Sequence, residues 1–384
     1  MIVQILNLSS FVVFNTYCKV YNIDQTIRQQ GIPGLEIRNI PISVAHDVQN
    51  KICNDKKSCF IKTNEQGEAS VLLIATFNEL KELAKISFGQ INEELGKKII
   101  TTINNFEAYD SKEYIIGKKV FNFNNAYVMG ILNVTPDSFS DGGLYYDKES
   151  AVKHAIDMID LGADIVDIGG ESTRPGSEMV QVEEEIERVI PVLDRLLFYR
   201  PNAIISVDTN KSVVAEKALK HGAKIINDIS GLTFDPEIAR VVKHYNAALI
   251  IMHIKGKPKD MQVAPSYNNV VSEIYDFLYD KLLYAKEIGV EGLFIDPGIG
   301  FGKSIDNNFE IIRRLEEFRG LGYPIMIGIS RKSFLGKTLN LDINLRDTAT
   351  TIAESMSVKN GARIIRTHNV YYGMQVCKLM NHLN

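Results

Sequence analysis

The sequence predicts an α/β protein in which an eight-stranded (β/α)8 barrel follows a smaller α/β segment. The first observation is that short apolar runs rich in Val and Ile alternate with longer amphipathic stretches from residue 126 onward, which is typical of a parallel sheet covered by helices. The second is that eight such runs occur in a length close to the roughly 250 residues of a (β/α)8 barrel. The runs span residues 127–133, 164–169, 203–208, 224–228, 247–253, 292–296, 324–330 and 362–366. An open, doubly wound sheet is the alternative architecture.

The composition indicates a globular protein that acts on small molecules. Of its 384 residues, 45% are hydrophobic and 23% are charged, so the chain can bury a large core. Its 43 Lys and Arg and 47 Asp and Glu give a net charge of -4, which provides neither a basic face for nucleic acid nor a polybasic patch for a membrane. No uninterrupted apolar stretch approaches the roughly 20 residues of a membrane-spanning helix. We therefore expect small-molecule substrates, no nucleic-acid partner and no membrane partner.

The cysteines indicate a reducing compartment. Cys18, Cys53, Cys59 and Cys377 form no CxxC pair and lack the dense, even spacing of a secreted disulfide scaffold. The simplest interpretation is a reduced, cytoplasmic protein.

Residues 1–125 predict a small α/β accessory domain whose role the sequence does not indicate. Apolar residues recur at helical spacing in 78–88, and a second helix is predicted for 91–106. Strands are predicted for the apolar N-terminus (residues 1–14, with 11–14 as its clearest piece), 59–63 and 69–75. No group of His, Asp and Glu in this segment requires a catalytic explanation. The predicted domains are therefore 1–125 and 126–384.

Polar side chains follow every predicted strand of the second segment. Active sites of (β/α)8 barrels lie at the carboxyl ends of the strands, so these residues are expected on one rim. A cap or turn residue would explain any one of them, but eight together indicate an active site. In strand order they are Asn133, Glu171, Asp208, Asn227, His253, Asp296, Ser330 with Arg331 and Lys332, and Arg366 with His368.

Two nucleotide-binding motifs are excluded in the glycine-rich stretch 298–304. The pattern GxxxxGK[ST] needs Gly at position 297, which is Pro297. The dinucleotide pattern GxGxxG fails because Lys303 stands at its sixth position. The glycines instead indicate a tight backbone turn beneath a ligand. His253 has no second His at metal-binding spacing, so a zinc site is not expected.

Seven motifs together resemble the dihydropteroate synthase family, in the family's order and across residues 126–384. They are GILNVTPDSFSDGG (130–143), DIGGESTRPGS (167–177), SVDT (206–209), INDISG (226–231), DPGIGFGKS (296–304), GISRKSFLG (328–336) and RTHNV (366–370). The resemblance implies a TIM barrel that joins 6-hydroxymethyl-7,8-dihydropterin pyrophosphate to p-aminobenzoate and releases pyrophosphate in folate synthesis. Sulfonamides imitate the p-aminobenzoate. A homodimer is also implied.

The resemblance assigns pterin binding to Asp208, Asn227, Asp296 and Lys332. A pterin presents a flat row of donors and acceptors that carboxylates and carboxamides can match in the plane. Simple capping would satisfy each acid alone but does not explain three convergent strand ends.

Pyrophosphate binding is implied for Arg366, His368 and Thr173. Arg366 and His368 are two residues apart, so they project to the same side if the strand continues. Mg2+ binds phosphates with only one or two protein oxygens, and Asn133 matches the family's metal-contacting asparagine.

The p-aminobenzoate pocket is expected near Ser333, which could open a short helix whose free N–H groups accept a carboxylate. A plain N-cap is the alternative. The resemblance places Phe139 and Pro175 in the walls of this pocket and predicts an Asp137–Arg174 pair between loops 135–143 and 172–177. These loops are expected to close over the reaction and exclude water.

No Ser-His-Asp or Cys-His arrangement indicates a covalent nucleophile, and the resemblance implies that the amine of p-aminobenzoate is the nucleophile. It also implies that the C–O bond to pyrophosphate breaks largely before the amine attacks, giving a pterin-methyl cation. Small departures from the family pattern occur at Ile254 and Lys257, where MHMKGTP is usual, and at Thr367 and Asn369, where RVHDV is usual. They leave open whether the acceptor is p-aminobenzoate or a larger arylamine. The alternative functions are a pterin-dependent methyltransferase on the same barrel and a catalytically silent pterin-binding protein.

Overall fold

The computed structural model describes residues 1–27, 31–52, 59–135, 144–172, 180–257, 259 and 261–383. The chain divides into two compact units. Unit 1 comprises Met1–Tyr109 and Glu316–Gly322, and unit 2 comprises Asp110–Leu315 and Tyr323–Asn384. Among the described residues, no helix combines the length and the apolar character that a membrane crossing requires.

Unit 1 is a four-stranded antiparallel sheet with helices, in the strand order β1-β2-β4-β3. Its strands are β1 (Ile2–Leu6), β2 (Gly34–Pro41), β3 (Cys59–Thr63) and β4 (Glu68–Ile74). Its helices are α1 (Phe11–Tyr21), α2 (Ile42–Ile52), α3 (Phe77–Gln90) and α4 (Glu93–Glu107). The predicted small α/β region is confirmed, including the strands at 59–63 and 69–75 and both predicted helices. The role of residues 1–125 as a separate domain stays a prediction.

The prediction of a strand at residues 11–14 is wrong, because these residues begin helix α1. Their Val and Phe content favours a strand, but Phe14, Tyr17, Cys18 and Tyr21 recur at helical spacing and are buried together. That buried face packs with Leu72 and Ile74 of β4. Tertiary burial of one helical face therefore decides the conformation.

Unit 2 is a closed barrel of eight parallel strands, and the predicted barrel is confirmed. The strands are β7 (Tyr127–Asn133), β8 (Ile165–Gly169), β9 (Ile205–Asp208), β10 (Ile225–Asp228), β11 (Ala248–Met252), β12 (Gly292–Asp296), β13 (Ile325–Ile327) and β14 (Ala362–Thr367). The helices are α5 (Leu144–Asp160), α6 (Val182–Tyr199), α7 (Ser212–Lys220), α8 (Ile238–His244), α9 (Val270–Ile288), α10 (Ile305–Arg313), α11 (Ser333–Leu339), α12 (Asp347–Lys359) and α13 (Val370–Leu383).

A hairpin ahead of the barrel closes its amino-terminal end. It consists of β5 (Glu113–Ile116) and β6 (Lys119–Asn122), which pair with each other in an antiparallel sheet. Its Ile116 and Phe121, with the adjacent Phe123, join one apolar cluster with residues at the starts of the barrel strands. Filling this end with large apolar side chains leaves the carboxyl ends of the strands as the open, polar rim.

Candidate active site

Arg366, near the carboxyl end of β14, bridges two carboxylates from neighbouring strands. Its Nε donates to Asp167 Oδ2 at 2.6 Å and a terminal nitrogen donates to Asp208 Oδ2 at 2.8 Å. Asn227 Nδ2 donates to the same Asp167 oxygen at 3.1 Å. Strands β8, β9, β10 and β14 each contribute one of these four side chains, because their registers bring their carboxyl ends together.

Asp167 is a member of this group that the sequence analysis did not assign. It is fully buried within strand β8. A carboxylate inside an apolar strand needs a cationic partner. The Asp of the DIGGEST motif could therefore have been recognised from the sequence as a residue that requires such a partner. Its second oxygen, Asp167 Oδ1, and Asn227 Oδ1 are buried without a hydrogen-bond partner in the part of the chain that the structure describes.

Burial shapes the electrostatics of the acids at the rim. It raises the pKa of Asp208, and the positive charge of Arg366 opposes this shift. It also raises the pKa of Asp296, where Lys332 is the largest opposing influence. Asp296 Oδ1 accepts a hydrogen bond from Gly298 N at 2.7 Å. Buried carboxylates of this kind need hydrogen-bonding partners, because burial removes them from bulk solvent.

Lys332 is held over the glycine-rich turn that follows β12. Its Nζ donates to Ile299 O and lies 4.4 Å from the centre of the Phe301 ring. Burial lowers the pKa of Lys332 from 10.5 to about 8, although the nearby Asp296 favours its protonated form. A side chain at Gly300 would place its Cβ only 2.7 Å from Lys332 Cδ. The glycine therefore makes room for the lysine stem.

His368 lies in the loop that follows β14, and Ser333 begins α11 directly after the loop that follows β13. Ser330 Oγ accepts a hydrogen bond from His368 N at 3.1 Å and lies 2.9 Å from His368 Nδ1. Ser333 is the first residue of α11, directly after the cap residue Lys332. The two loops thus contact each other beside Arg366 and Lys332.

Asn133 ends strand β7 on the same rim. Glycine at position 169 leaves space here, since a Cβ at Gly169 would lie 3.5 Å from Asn133 Oδ1 and 3.9 Å from Asp208 Oδ2. The described residues contain no group of three or more His, Cys, Asp and Glu side chains that could hold a metal ion. A Mg2+ ion that takes most of its ligands from phosphate and water needs only one or two protein oxygens, and Asn133 supplies a suitable one.

His253 and Glu171, which also follow barrel strands, each contact a lysine. His253 Nδ1 lies 3.0 Å from Lys303 Nζ, which also donates to Phe301 O at 2.9 Å. Burial lowers the pKa of both His253 and Lys303. Glu171 accepts a hydrogen bond from Lys211, which also contacts Glu185. The predicted site residues Asp137, Phe139, Thr173, Arg174 and Pro175 lie outside the described residues.

The closed barrel, with acids, an amide, an arginine and a lysine at the carboxyl ends of its strands, is typical of barrel enzymes. The family described as "Pterin binding enzyme" matches residues 129–368, and the chain belongs to that family. Within it, the chain belongs to the dihydropteroate synthases, which are transferases.

Several similar proteins match this chain over nearly their whole length. A dihydropteroate synthase from Synechocystis sp. is 42% identical over 272 residues, covering 70% of this chain and 94% of the relative. The structure of the Yersinia pestis enzyme in a sulfonamide drug complex has a TM-score of 0.67 and 35% identity, covering 71% of this chain and 99% of that one. The Xanthomonas albilineans enzyme with 4-aminobenzoic acid has a TM-score of 0.67 and 36% identity, covering 71% and 98%.

Proposed function

We propose that this rim condenses 6-hydroxymethyl-7,8-dihydropterin pyrophosphate with p-aminobenzoate to give 7,8-dihydropteroate and pyrophosphate. The observation that carries the proposal is the Arg366 fork between Asp167 and Asp208, beside buried oxygens of Asp167 and Asn227 that have no partner among the described residues. Buried polar atoms of this kind are costly unless a ligand satisfies them. A pterin supplies the amide and amino groups that can do so.

The pterin ring is bound by Asp208, Asn227 and Asp296, with Lys332 at its edge. Carboxylate oxygens accept from the ring N–H and amino groups, and the Asn227 carboxamide can match both a donor and an acceptor. The negative charge of Asp296 favours the protonated form of Lys332, so the ammonium is available as a donor. Lys332 thereby donates to an acceptor atom of the ring.

The pyrophosphate leaving group is bound by Arg366 and His368, with a hydroxyl donor from Thr173. As the C–O bond to pyrophosphate breaks, negative charge develops on the departing oxygens, and fixed cationic donors stabilise that charge. Mg2+, held by Asn133 and by the phosphates, would neutralise part of this charge when bound. The two ion pairs of the partly buried Arg366 with Asp167 and Asp208 keep its guanidinium oriented before substrate arrives.

The p-aminobenzoate carboxylate is bound beside Ser333 and Lys332, and Phe139 and Pro175 flank its ring. Pyrophosphate leaves with the electron pair of the C–O bond, which breaks largely before attack and gives a pterin-methyl cation. The amine nitrogen then forms a bond to the methylene carbon and loses a proton. Asp137 and Arg174 pair across the two loops to exclude water from this step. The Yersinia pestis relative binds a sulfonamide drug, and we expect the same class of compound to compete with p-aminobenzoate here.

The protein acts as a homodimer in the cytoplasm. Helices α12 and α13 pack side by side, and both carry large exposed apolar side chains, including Ile352, Met356 and Leu379. Exposed apolar patches of this kind are typical of protein interfaces. The buried cysteines Cys18 and Cys377 are free thiols, which supports a reducing compartment.

The decisive experiment is turnover by the purified full-length chain. Pyrophosphate release should require the pterin pyrophosphate, p-aminobenzoate and Mg2+ together. Omission of any one of them provides the control. No release with all three present would contradict the proposal, and tight binding of a methylated folate in place of the pterin pyrophosphate would favour a methyltransferase. Replacement of p-aminobenzoate by larger arylamines tests the identity of the acceptor.

A further inference from the structure

We propose that Asp347, the first residue of α12, is a positioning residue that ties the loop after β13 to the loop after β14. The first loop carries Lys332 and leads directly into Ser333, the first residue of α11, and the second carries His368. This inference rests on the proposed function, because it assigns a common support to the p-aminobenzoate and pyrophosphate subsites. Asp347 itself contacts neither proposed substrate and acts through Arg331 and Asn369.

Asp347 accepts hydrogen bonds from both loops at once. Its Oδ1 accepts from Arg331 Nε at 2.7 Å, and its Oδ2 accepts from a terminal nitrogen of Arg331 at 2.9 Å. The same Oδ2 accepts from Asn369 Nδ2 at 2.9 Å. A two-pronged arginine–carboxylate pair fixes orientation as well as distance. One carboxylate therefore sets the relative position of residues 331 and 369.

Other residues on the same face of α12 reinforce this contact. Thr350 Oγ1 accepts from Arg331 N at 3.1 Å, and the Thr367 hydroxyl is hydrogen-bonded to Glu354. Positions 347, 350 and 354 follow the helical repeat and lie on one side of the helix. The helix thus contacts the loop after β13 at two points, and it contacts both the last residue of β14 and the loop that follows it.

The backbone of Arg331 requires such support. Its φ is +56°, a conformation that costs a non-glycine residue about 1 kcal/mol or more and persists where surrounding contacts fix it. Arg346 adds a further contact by donating to Arg331 O at 3.0 Å. This turn directs the Arg331 side chain to Asp347 while the next residue, Lys332, extends over the glycine-rich turn.

The two loops also contact each other directly at the site. Ser330, one residue before Arg331, accepts from His368 N at 3.1 Å, and His368 is flanked by Thr367 and Asn369. A displacement of Arg331 is therefore transmitted to His368 by two routes, through Asp347 and through Ser330. Loss of the carboxylate should affect both subsites together.

The residues at which this chain departs from the usual RVHDV pattern belong to this support. Thr367 and Asn369 both contact carboxylates of α12, Glu354 and Asp347. An aspartate at position 369 would face the Asp347 carboxylate at hydrogen-bonding distance, and two like charges there would repel. Asparagine supplies a donor instead, so the departure fits the neighbouring helix.

The test uses Asp347→Asn and Asn369→Asp in the full-length protein. Each single change should weaken both p-aminobenzoate binding and pyrophosphate binding roughly 10-fold, within the range of coupling between contacting residues. The double variant restores an amide opposite a carboxylate and should lose less than the product of the two single losses. Asp342→Asn is the matched control, because this nearby exposed aspartate makes no side-chain capping bond.

Equilibrium binding measures both ligands separately, by calorimetry with p-aminobenzoate and with inorganic pyrophosphate. The proposal would be overturned if Asp347→Asn weakened the binding of only one ligand. It would also be overturned if the loss of affinity in the double variant equalled the product of the two single losses.

Hydrogen exchange in the ligand-free protein supplies a readout independent of catalysis. Asp347→Asn should accelerate exchange at both the Arg331 and His368 amides, and unchanged exchange at His368 would also overturn it. An inactive wild type with this exchange pattern would contradict the proposed function alone.

Discussion

The most consequential single residue is Arg366, because its guanidinium is shared between two buried acids. We expect Arg366→Lys to lower kcat/KM roughly 100-fold, since removal of one preorganised charged donor costs about this much. Lysine preserves the charge but not the fork that reaches Asp167 and Asp208 at once. Steady-state kinetics with saturating Mg2+ measures the effect.

Arg200→Lys is the matched control for this change. Arg200 also pairs with a carboxylate, since one terminal nitrogen donates to both oxygens of Asp160 at 2.8 and 2.9 Å, but it precedes β9 at the amino-terminal end of the barrel. This variant should retain normal turnover. Near-normal turnover in Arg366→Lys would refute the role of the fork.

Lys332 predicts an alkaline limit to activity. Its pKa is lowered by burial to about 8, so the ammonium loses its proton as the pH rises through that value, and the donor charge beside the pterin is lost. The pH profile of kcat/KM should therefore fall above pH about 8, because this profile reports ionisations of the free enzyme. Lys332→Met should be slower at all pH values and should lack this limb.

Lys337→Met provides the comparison within the same helix, because Lys337 is exposed on α11. It should keep both the rate and the alkaline limb. An unchanged limb in Lys332→Met would assign the ionisation to another group.

At the residue scale, the sequence indicated the rim but not its connections. Asp208, Asn227, Asp296 and Arg366 were singled out because polar residues end apolar strands. Asp167 was not, because it lies within a strand, and its link to Arg366 spans 199 positions of the chain. Only the closure of the barrel brings β8 and β14 close enough for this pair. The roles of the site residues stay predictions until variants are measured.

At the scale of elements, the hairpin β5–β6 is expected to stabilise the barrel without taking part in catalysis. Phe123, directly after β6, is fully buried and packs edge-on against Tyr114, Tyr127 and Phe294, with ring centres 5.3 to 6.1 Å apart. Phe123→Ala should cost about 3 to 5 kcal/mol of stability by leaving a cavity. The urea concentration at which pterin binding is lost should fall accordingly.

Ile115→Ala is the control on the same hairpin, because Ile115 is 77% exposed. It should change stability by no more than about 0.5 kcal/mol. Turnover of folded Phe123→Ala should remain normal, since its contacts lie at the closed end of the barrel. Equal stability losses in the two variants would contradict this account of the hairpin.

The elements of the barrel were predictable because local pattern and global fold agree there. The predicted runs 127–133 and 292–296 coincide with β7 and β12, and the other six strands differ by a few residues at their ends. In unit 1 the agreement is poorer. Phe11–Phe14 have the composition of a strand but begin a helix, and β2 and α2 were not predicted. Packing against the antiparallel sheet, rather than local sequence pattern, determines the conformation of these segments.

At the scale of the whole molecule, long-range contacts define the units in a way that no local pattern predicts. Glu316–Gly322 lies between α10 and β13 in the sequence and yet belongs to unit 1. Within that unit, Gln4 Nε2 donates to Glu317 Oε2 at 2.9 Å and Asn7 N donates to Glu317 Oε1 at 3.2 Å. These pairs are more than 300 residues apart in the chain. Composition and periodicity describe local segments, so they do not predict contacts between residues this far apart in the chain.

The exposed face of α12 and α13 leads to the last prediction, which concerns assembly. Ile352 and Met356 are spaced by one helical turn and are 61% and 52% exposed, and Leu379 and Leu383 repeat this arrangement on α13 at 61% and 62%. Burying these apolar side chains in a symmetric dimer would remove them from water.

We expect the double variant Ile352→Lys, Met356→Lys to halve the mass measured by sedimentation equilibrium at micromolar concentration. Phe198→Lys, at a 76% exposed site on α6, should leave the mass unchanged. Because the opposite side of α12 supports the loops at Arg331 and Asn369, monomers should also bind pyrophosphate more weakly. A monomeric wild type, or an unchanged mass in the double variant, would contradict this interface.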